Sequence, residues 1–218
     1  MSILKEGYPF IIPAFAASFA LKLISAFMPP PLFIICLTLG VLLFFFSLFC
    51  MFFFRDPHIE VTQGDGIILS PCNGTVMEVT EEEGEKVIRV FLSVFNVHLQ
   101  RSPVSGTVTD VIYKKGKFFA AWNPRAHAEN EQNIIIIQGD NIPGVFVVRQ
   151  IAGFLARRCV SWVKTGDVLK AGDKIGMIKF SSQVDLHLPK AAEIQVKIGD
   201  KTRAGITVMA RNKISPSI

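Results

Sequence analysis

The 218-residue chain carries 23 Lys and Arg against 18 Asp and Glu, for a formal net charge of +5, and half of its residues are hydrophobic, with a mean hydropathy of +0.41. That is too apolar for an ordinary water-soluble domain, and the basic side chains are scattered rather than gathered into a stripe with interleaved aromatics, which argues against nucleic acid as a partner. Cys36, Cys50, Cys72 and Cys159 show no CxxC spacing, so neither a disulfide framework nor a zinc site is expected, and a reducing compartment suits them.

The apolar excess lies at the N-terminus. Between Tyr8 and Phe54 the only charge is Lys22; Tyr8 to Met28 and Leu32 to Phe54 are separated by Pro29-Pro30-Pro31. Each run is long enough to cross a hydrocarbon core of ~30 Å as a helix. The triple proline predicts a tight turn between them, so residues 1–54 read as a membrane-anchoring helical hairpin. A cleaved signal peptide fits two consecutive long runs badly. A buried soluble helix pair would need a polar face that Leu42-Leu43-Phe44-Phe45-Phe46 does not offer. Lys5 and Arg55 flank the outer ends while the turn carries no charge, which puts both ends, and the domain that follows, on the cytoplasmic face of the cell membrane.

Residues 55–218 change character to short β-type runs broken by Gly, Pro, Asn and Asp at intervals of roughly ten residues. Strands are predicted at Val87–Phe91, Gly106–Tyr113, Asn133–Gln138, Val145–Ile151 and Val160–Val163; the nearest helical candidate is Phe118–Asn123. Ser70-Pro71-Cys72-Asn73-Gly74-Thr75-Val76 returns as Ser102-Pro103-Val104-Ser105-Gly106-Thr107-Val108, and Gly166-Asp167 returns as Gly172-Asp173. Such Gly-Asp turns recur in the small β-sandwiches that carry biotin or lipoate. No Lys stands at a Met-Lys-Met hairpin tip, so that likeness concerns architecture alone: a mainly β domain, a compact β-sandwich or flattened barrel.

His98 stands at the end of a β-like run that continues to Arg101 and Pro103. A lone histidine there reads as structural or as a site residue. The order of motifs is more informative: Phe54-Arg55-Asp56-Pro57, Ser70-Pro71-x-x-Gly74, Phe95-Asn96-Val97-His98-x-x-Arg101-x-Pro103, Glu129-Asn130-Glu131, Gln150-Ile151-Ala152-Gly153 with Ala156-Arg157-Arg158, and Gly176-Met177-Ile178-Lys179-Phe180-x-Ser182-x-Val184-Asp185. From about Phe53 to Ala210 the sequence resembles the short form of the phosphatidylserine decarboxylase proenzymes, and the apolar N-terminus belongs to the likeness.

The resemblance implies self-cleavage between Ser181 and Ser182, giving a 181-residue β chain and a 37-residue α chain that stay together. Ser182 matches the nucleophile and the source of a pyruvoyl cofactor, which acts as an electron sink while phosphatidylserine loses carbon dioxide to become phosphatidylethanolamine. His98 matches the base that a weakly nucleophilic hydroxyl needs. An acidic residue normally orients such a histidine. The resemblance also implies a homodimer and no metal.

Two positions depart from the family pattern. Asn73 stands where the loop normally has Asp, so the orienting carboxylate becomes an amide, and Ser181 stands where Gly is usual. Both fall on the processing machinery, so a processing-impaired member of the family is a second reading; a non-enzymatic, membrane-anchored β binding module is a third. Asp185 reads as a partial substitute for the missing carboxylate or as a solvated strand-end acid. Arg157-Arg158 reads as a lipid-phosphate contact or an exposed pair. Phe118, Phe119 and Trp122 read as interfacial or as core, and spacing gives Glu129-Asn130-Glu131 no role.

Overall fold

The computed structural model describes residues 1–82, 84–119, 125–153, 158–179 and 182–212. The chain divides into two compact units, Met1–His58 and Ile59–Ile218. The first begins with β1 (Ser2–Ile3) and a 3-10 turn (Lys5–Gly7), continues through α1 (Tyr8–Ser25) and α2 (Pro30–Phe53), and ends with β2 (Arg55–Asp56). At 18 and 24 residues the helices are ~27 and ~36 Å long. β1 and β2 pair antiparallel, Ser2 opposite Asp56, so the hairpin's two ends close on each other and the chain returns to its starting side. Ser2 Oγ donates to Asp56 Oδ2 at 3.2 Å, and Arg55 donates to the Phe52 carbonyl at 2.6 Å with its guanidinium over the Phe52 ring.

The helices meet through small residues. Ser18 Oγ donates to the Gly40 carbonyl at 2.7 Å and Ser47 Oγ to the Ile11 carbonyl at 3.1 Å, the close hydroxyl-to-backbone contact that apolar helix pairs use where hydrophobicity gives no net drive. Phe15, Phe19, Leu42 and Phe45 point outward at 53–61% exposure. Both helices are apolar enough to cross a membrane. The triple proline is not a turn throughout: residues 26–29 turn, and Pro30 and Pro31 open α2. Proline suits a first helical turn because its missing N–H has no partner there anyway.

The second unit is mainly β. Its strands are β3 (Ile67–Leu69), β4 (Gly74–Glu82), β5 (Glu85–Leu92), β6 (Leu99–Arg101) and β7 (Gly106–Lys114), then, after the one-turn helix α3 (Ala126–Glu129), β8 (Gln132–Gly139), β9 (Val145–Ala152), β10 (Cys159–Ser161), β11 (Val168–Leu169), β12 (Lys174–Ile178), β13 (Ser182–Leu188), β14 (Glu193–Ile194), β15 (Lys201–Thr202) and β16 (Val208–Arg211). Eight of them form a curled half-barrel in the order β11-β7-β8-β9-β13-β5-β4-β15, faced by three-stranded sheets β10-β12-β6 and β14-β16-β3. The core lies between, built from alternate residues such as Ile88, Val90, Ile135, Ile137, Phe146, Val148, Val184 and Leu186, with Ile68, Ile175 and Met209 from the smaller sheets. Alternation of this kind buries one face of a pleated sheet.

The repeated Ser-Pro-x-x-Gly segment is repeated in space. Ser70 Oγ bonds the Cys72 carbonyl and Ser102 Oγ the Val104 carbonyl, both at 2.7 Å. The segments also hold each other: Leu69 N–H donates to the Pro103 carbonyl at 2.9 Å and Arg101 N–H to the Pro71 carbonyl at 2.8 Å. Each glycine opens a long strand that bulges soon after, between Val76 and Glu78 and between Val108 and Asp110, and bulges increase strand twist. The Gly-Asp turns serve the same two halves, with a third at Gly199-Asp200: Val108 bonds Asp167 and Gly166, while Val76 bonds Asp200 and Gly199. No helix is described at Phe118 or Phe119, and Ala120–Asn123 lie outside the described residues.

Candidate active site

β13, which starts at Ser182, sits between β5 and β9, with Ser182 opposite Leu92 on one side and Ala152 on the other. The β-like run before His98 ends earlier than its sequence suggests. β5 stops at Leu92, because Asn96 Oδ1 accepts from both Ser93 N–H and Ser93 Oγ at 2.9 Å while Asn96 N–H donates back to the Ser93 carbonyl. Such a β-turn, closed by the Asn side chain reaching back three residues, competes with strand geometry. His98 therefore introduces β6 rather than ending β5, and its carbonyl accepts from Ile178 N–H at 3.2 Å. The turn from Leu92 to His98 and the segment from Ile178 to Ser182 thus start and finish at the same strand pairs. Ser181 lies outside the described residues.

His98 is 1% exposed, and its Nδ1 is 3.0 Å from the Asn96 carbonyl. A carbonyl only accepts, so Nδ1 carries a proton, and in the neutral ring the lone pair that a general base requires falls on Nε2. Asn73 does something else: its Oδ1 accepts from Ala204 N–H at 2.8 Å. In this chain a backbone carbonyl two residues away makes the Nδ1 contact that an acidic side chain makes in triad logic.

The Glu129-Asn130-Glu131 motif, whose role spacing does not reveal, is a clamp. Asn130 Nδ2 donates to the Ala152 carbonyl at 2.7 Å and the Phe119 carbonyl at 2.8 Å, and its Oδ1 accepts from Phe119 N–H. Ala152 N–H meanwhile donates to the Glu131 carbonyl. Ala152 is the register partner of Ser182, so Asn130 fixes the strand against which residue 182 lies. Glu129 bonds Arg125 and Lys117, which hold its carboxyl down at about 2. A polar residue with no partner in its own segment is the only trace of this clamp in the sequence.

Asp185 is neither solvated nor at a strand end. It is fully buried at mid-strand, opposite Arg89 on β5 and Arg149 on β9. Its Oδ1 accepts from Gln183 Nε2 at 2.6 Å and its Oδ2 lies 3.5 Å from Arg89 Nε, while Arg89 also bridges Glu78 and Glu82. The sheet curls, so this second face is partly enclosed and its polar groups pair among themselves. Burial pushes the Asp185 carboxyl up, against the pull of Gln183 and Arg89. An acid whose folded pKa is raised contributes most stability below its unfolded pKa and loses it as pH rises through the folded value. Asp185→Asn is therefore expected to match the parent in acid and to melt at an equal or higher temperature at pH 8, with cleavage unaltered. Slowed cleavage in a well-folded variant would make Asp185 a stand-in for the missing carboxylate.

Arg158 is exposed, and its carbonyl accepts from Lys179 N–H at 3.2 Å, three residues before Ser182. Arg157 and Trp122 lie outside the described residues. Phe118 is 37% exposed rather than core, and the Phe119 ring faces Lys117 and Arg125.

The comparisons match the whole of this framework. The model of the family described as phosphatidylserine decarboxylase matches residues 46–210. The chain is 40% identical over 215 residues to the phosphatidylserine decarboxylase proenzyme of Citrifermentans bemidjiense, covering 95% of each. It is 44% identical over 183 residues to that of Carboxydothermus hydrogenoformans, covering 80% of this chain and 85% of the other. To that of Solibacter usitatus it is 37% identical over 211 residues, covering 97% of each. The matched span runs through the turn that carries His98, the Asn130 clamp and β13, and the chain belongs to the phosphatidylserine decarboxylase family.

Proposed function

We propose that this chain is the self-cleaving proenzyme of a membrane-anchored, pyruvoyl-dependent decarboxylase that converts phosphatidylserine to phosphatidylethanolamine. The observation that supports the reading most is the fixed tautomer of His98, held by the Asn96 carbonyl on a turn tied to the same strands as Ser182. His98 Nε2 takes the proton of the Ser182 hydroxyl, whose oxygen attacks the carbonyl carbon of Ser181. The 181–182 peptide C–N bond breaks as an ester forms. Loss of the Cα proton of residue 182 then expels the Ser181 carboxylate by breaking the Cβ–O bond, and hydrolysis releases ammonia to leave a pyruvoyl end on the 37-residue α chain.

The residues present fit such a group: a serine opens a strand held on both sides, and a buried imidazole is anchored on the turn that leaves Leu92, the register partner of that serine. When present, the pyruvoyl carbonyl supplies the electron sink for loss of carbon dioxide. His98 holds and returns the proton, and exposed Arg158 meets the lipid phosphate. The apolar helices insert in the cell membrane with the β unit on the cytoplasmic face, and the α and β chains remain one sheet because β13 is locked between β5 and β9. Two such units form the homodimer.

Mass spectrometry of the purified protein is expected to show chains of 181 and 37 residues, the smaller with a pyruvoyl end. An intact 24.1 kDa chain after prolonged incubation sinks the proposal in favour of an impaired proenzyme. The contact of Asn73 with Ala204 bears on that second reading. Because Asn96 already fixes the imidazole, Asn73→Asp, alone or with Ser181→Gly, is expected to change the cleavage rate by less than about tenfold, against the ~10⁴ lost when a triad carboxylate becomes an amide. A hundredfold gain in a time course would show that a carboxylate at position 73 is required.

A further inference from the structure

Three amide side chains far apart in sequence form one buried line that ends on His98. Asn133 Nδ2 on β8 donates to Gln150 Oε1 on β9 at 2.7 Å; Gln150 Nε2 donates to Gln100 Oε1 on β6 at 2.7 Å; Gln100 Nε2 donates to the His98 carbonyl at 2.8 Å. Gln100 and Gln150 are fully buried and Asn133 is 3% exposed. The line leaves the half-barrel, crosses the core and enters the sheet whose strand β6 follows the His98 turn.

Its polarity is fixed from one end. A carbonyl only accepts, so Gln100 must turn its NH₂ to His98 and its oxygen to Gln150; Gln150 must then turn its NH₂ to Gln100 and its oxygen to Asn133. The line also needs Gly176: a Cβ at that position, opposite Gln100 on β12, would lie 2.9 Å from Gln150 Nε2 and 2.2 Å from the Val160 carbonyl. Three buried amides where Leu or Met would fill the space cost desolvation, and such a network adds rigidity only if every member is satisfied.

We infer that Gln100, Gln150 and Asn133 are positioning residues that hold the His98 backbone, and with it the imidazole, in register with the cleavage junction. This rests on His98 being the base of the proposed reaction. With Ile178 N–H, Gln100 gives the His98 carbonyl two donors, while Nδ1 is tied to Asn96; the ring is fixed at its backbone and at one nitrogen, which leaves Nε2 one direction. A general base displaced by about 1 Å loses on the order of a hundredfold.

The decisive variant is Gln150→Glu, which keeps shape and burial. An ionised carboxylate cannot donate, so Gln100 must flip its NH₂ toward residue 150 and turn its oxygen on the His98 carbonyl. A protonated carboxyl can donate and restores the original polarity, and burial raises its pKa. The expected result is cleavage slowed about tenfold at high pH and recovering as pH falls, opposite to a parent whose base must be deprotonated. Gln100→Met, which removes the donor at every pH, should be slow throughout.

Two readouts separate the inference from the reading beneath it. With ring-labelled histidine and His98 assigned through His98→Gln, the NMR signals of His98 should show the Nδ1–H tautomer in the parent and a changed titration in Gln150→Glu and Gln100→Met. A parent-like titration and cleavage rate in either folded variant overturns the positioning role. If instead His98→Gln itself cleaves at the parental rate, the proposed reaction fails, while the NMR result still decides whether the line holds the ring. Should Gln150→Glu not fold, Gln100→Met carries both measurements.

Discussion

A chain carrying Ser182→Ala is expected to remain one 218-residue polypeptide, and one carrying His98→Ala to cleave about 10²–10⁴ times more slowly than the parent. The first follows from removing the only oxygen that can become the ester and then leave. Residue 182 keeps its backbone place opposite Leu92 and Ala152, so the sheet is not the cause of the loss. The second is the ordinary contribution of a positioned general base. His98 is buried, so truncation also leaves a cavity. Melting curves and a pH profile separate the effects: the parental rate should rise with pH through the imidazole titration, and the residual rate of His98→Ala should lack that step. A folded His98→Ala chain that processes at the parental rate would remove histidine from the mechanism.

The strands that carry this chemistry are legible because alternation and Gly or Pro punctuation are local signals. Val87–Phe91, Gly106–Tyr113, Asn133–Gln138 and Val145–Ile151 all fall within observed strands, and Val160–Val163 overlaps the shorter β10. Which strands pair is not local. β13 enters between β5 and β9, and the bonded amides of the buried line stand 17 and 50 positions apart along the chain. No motif spacing encodes Asn133, Gln150 and Gln100 as one line. A weaker trace exists: Asn133 leads the inward series Asn133, Ile135, Ile137, and Gln150 interrupts Phe146, Val148, Ala152. A polar residue on an otherwise apolar face needs a partner. Asp185 misleads for the opposite reason, since an outward position reads as solvent unless the curl of the sheet is known. Asn73 keeps the motif's position, but its oxygen is committed to Ala204.

Gly106→Ala should destabilise the β unit by about 3 kcal/mol or more, which for a domain of this size lowers Tm by roughly 6–12 °C. A Cβ at Gly106 would lie 2.2 Å from the Gln138 carbonyl and 2.9 Å from Ile137, with backbone on the far side that cannot swing away. The symmetric position behaves alike: at Gly74 the Cβ would lie 2.3 Å from the Phe91 carbonyl and 2.6 Å from Val90. Gly166 is the control. It sits at φ +93° with nothing within 4 Å of a Cβ, so Gly166→Ala meets only the left-handed backbone penalty, about 1–2 kcal/mol. The ranking tests the spatial repeat itself, because the two close-approach glycines open β4 and β7 at equivalent points while the turn glycines Gly166 and Gly199 face solvent. Gly74 lies on the half-barrel side next to β5, whose last residue is the partner of Ser182. Gly74→Ala should therefore slow cleavage at temperatures where the domain is still folded, and Gly106→Ala, three strands from β13, should lower Tm with less effect on cleavage below the transition. Equal cleavage losses in the two variants would mean that the halves unfold as one before the junction feels either substitution.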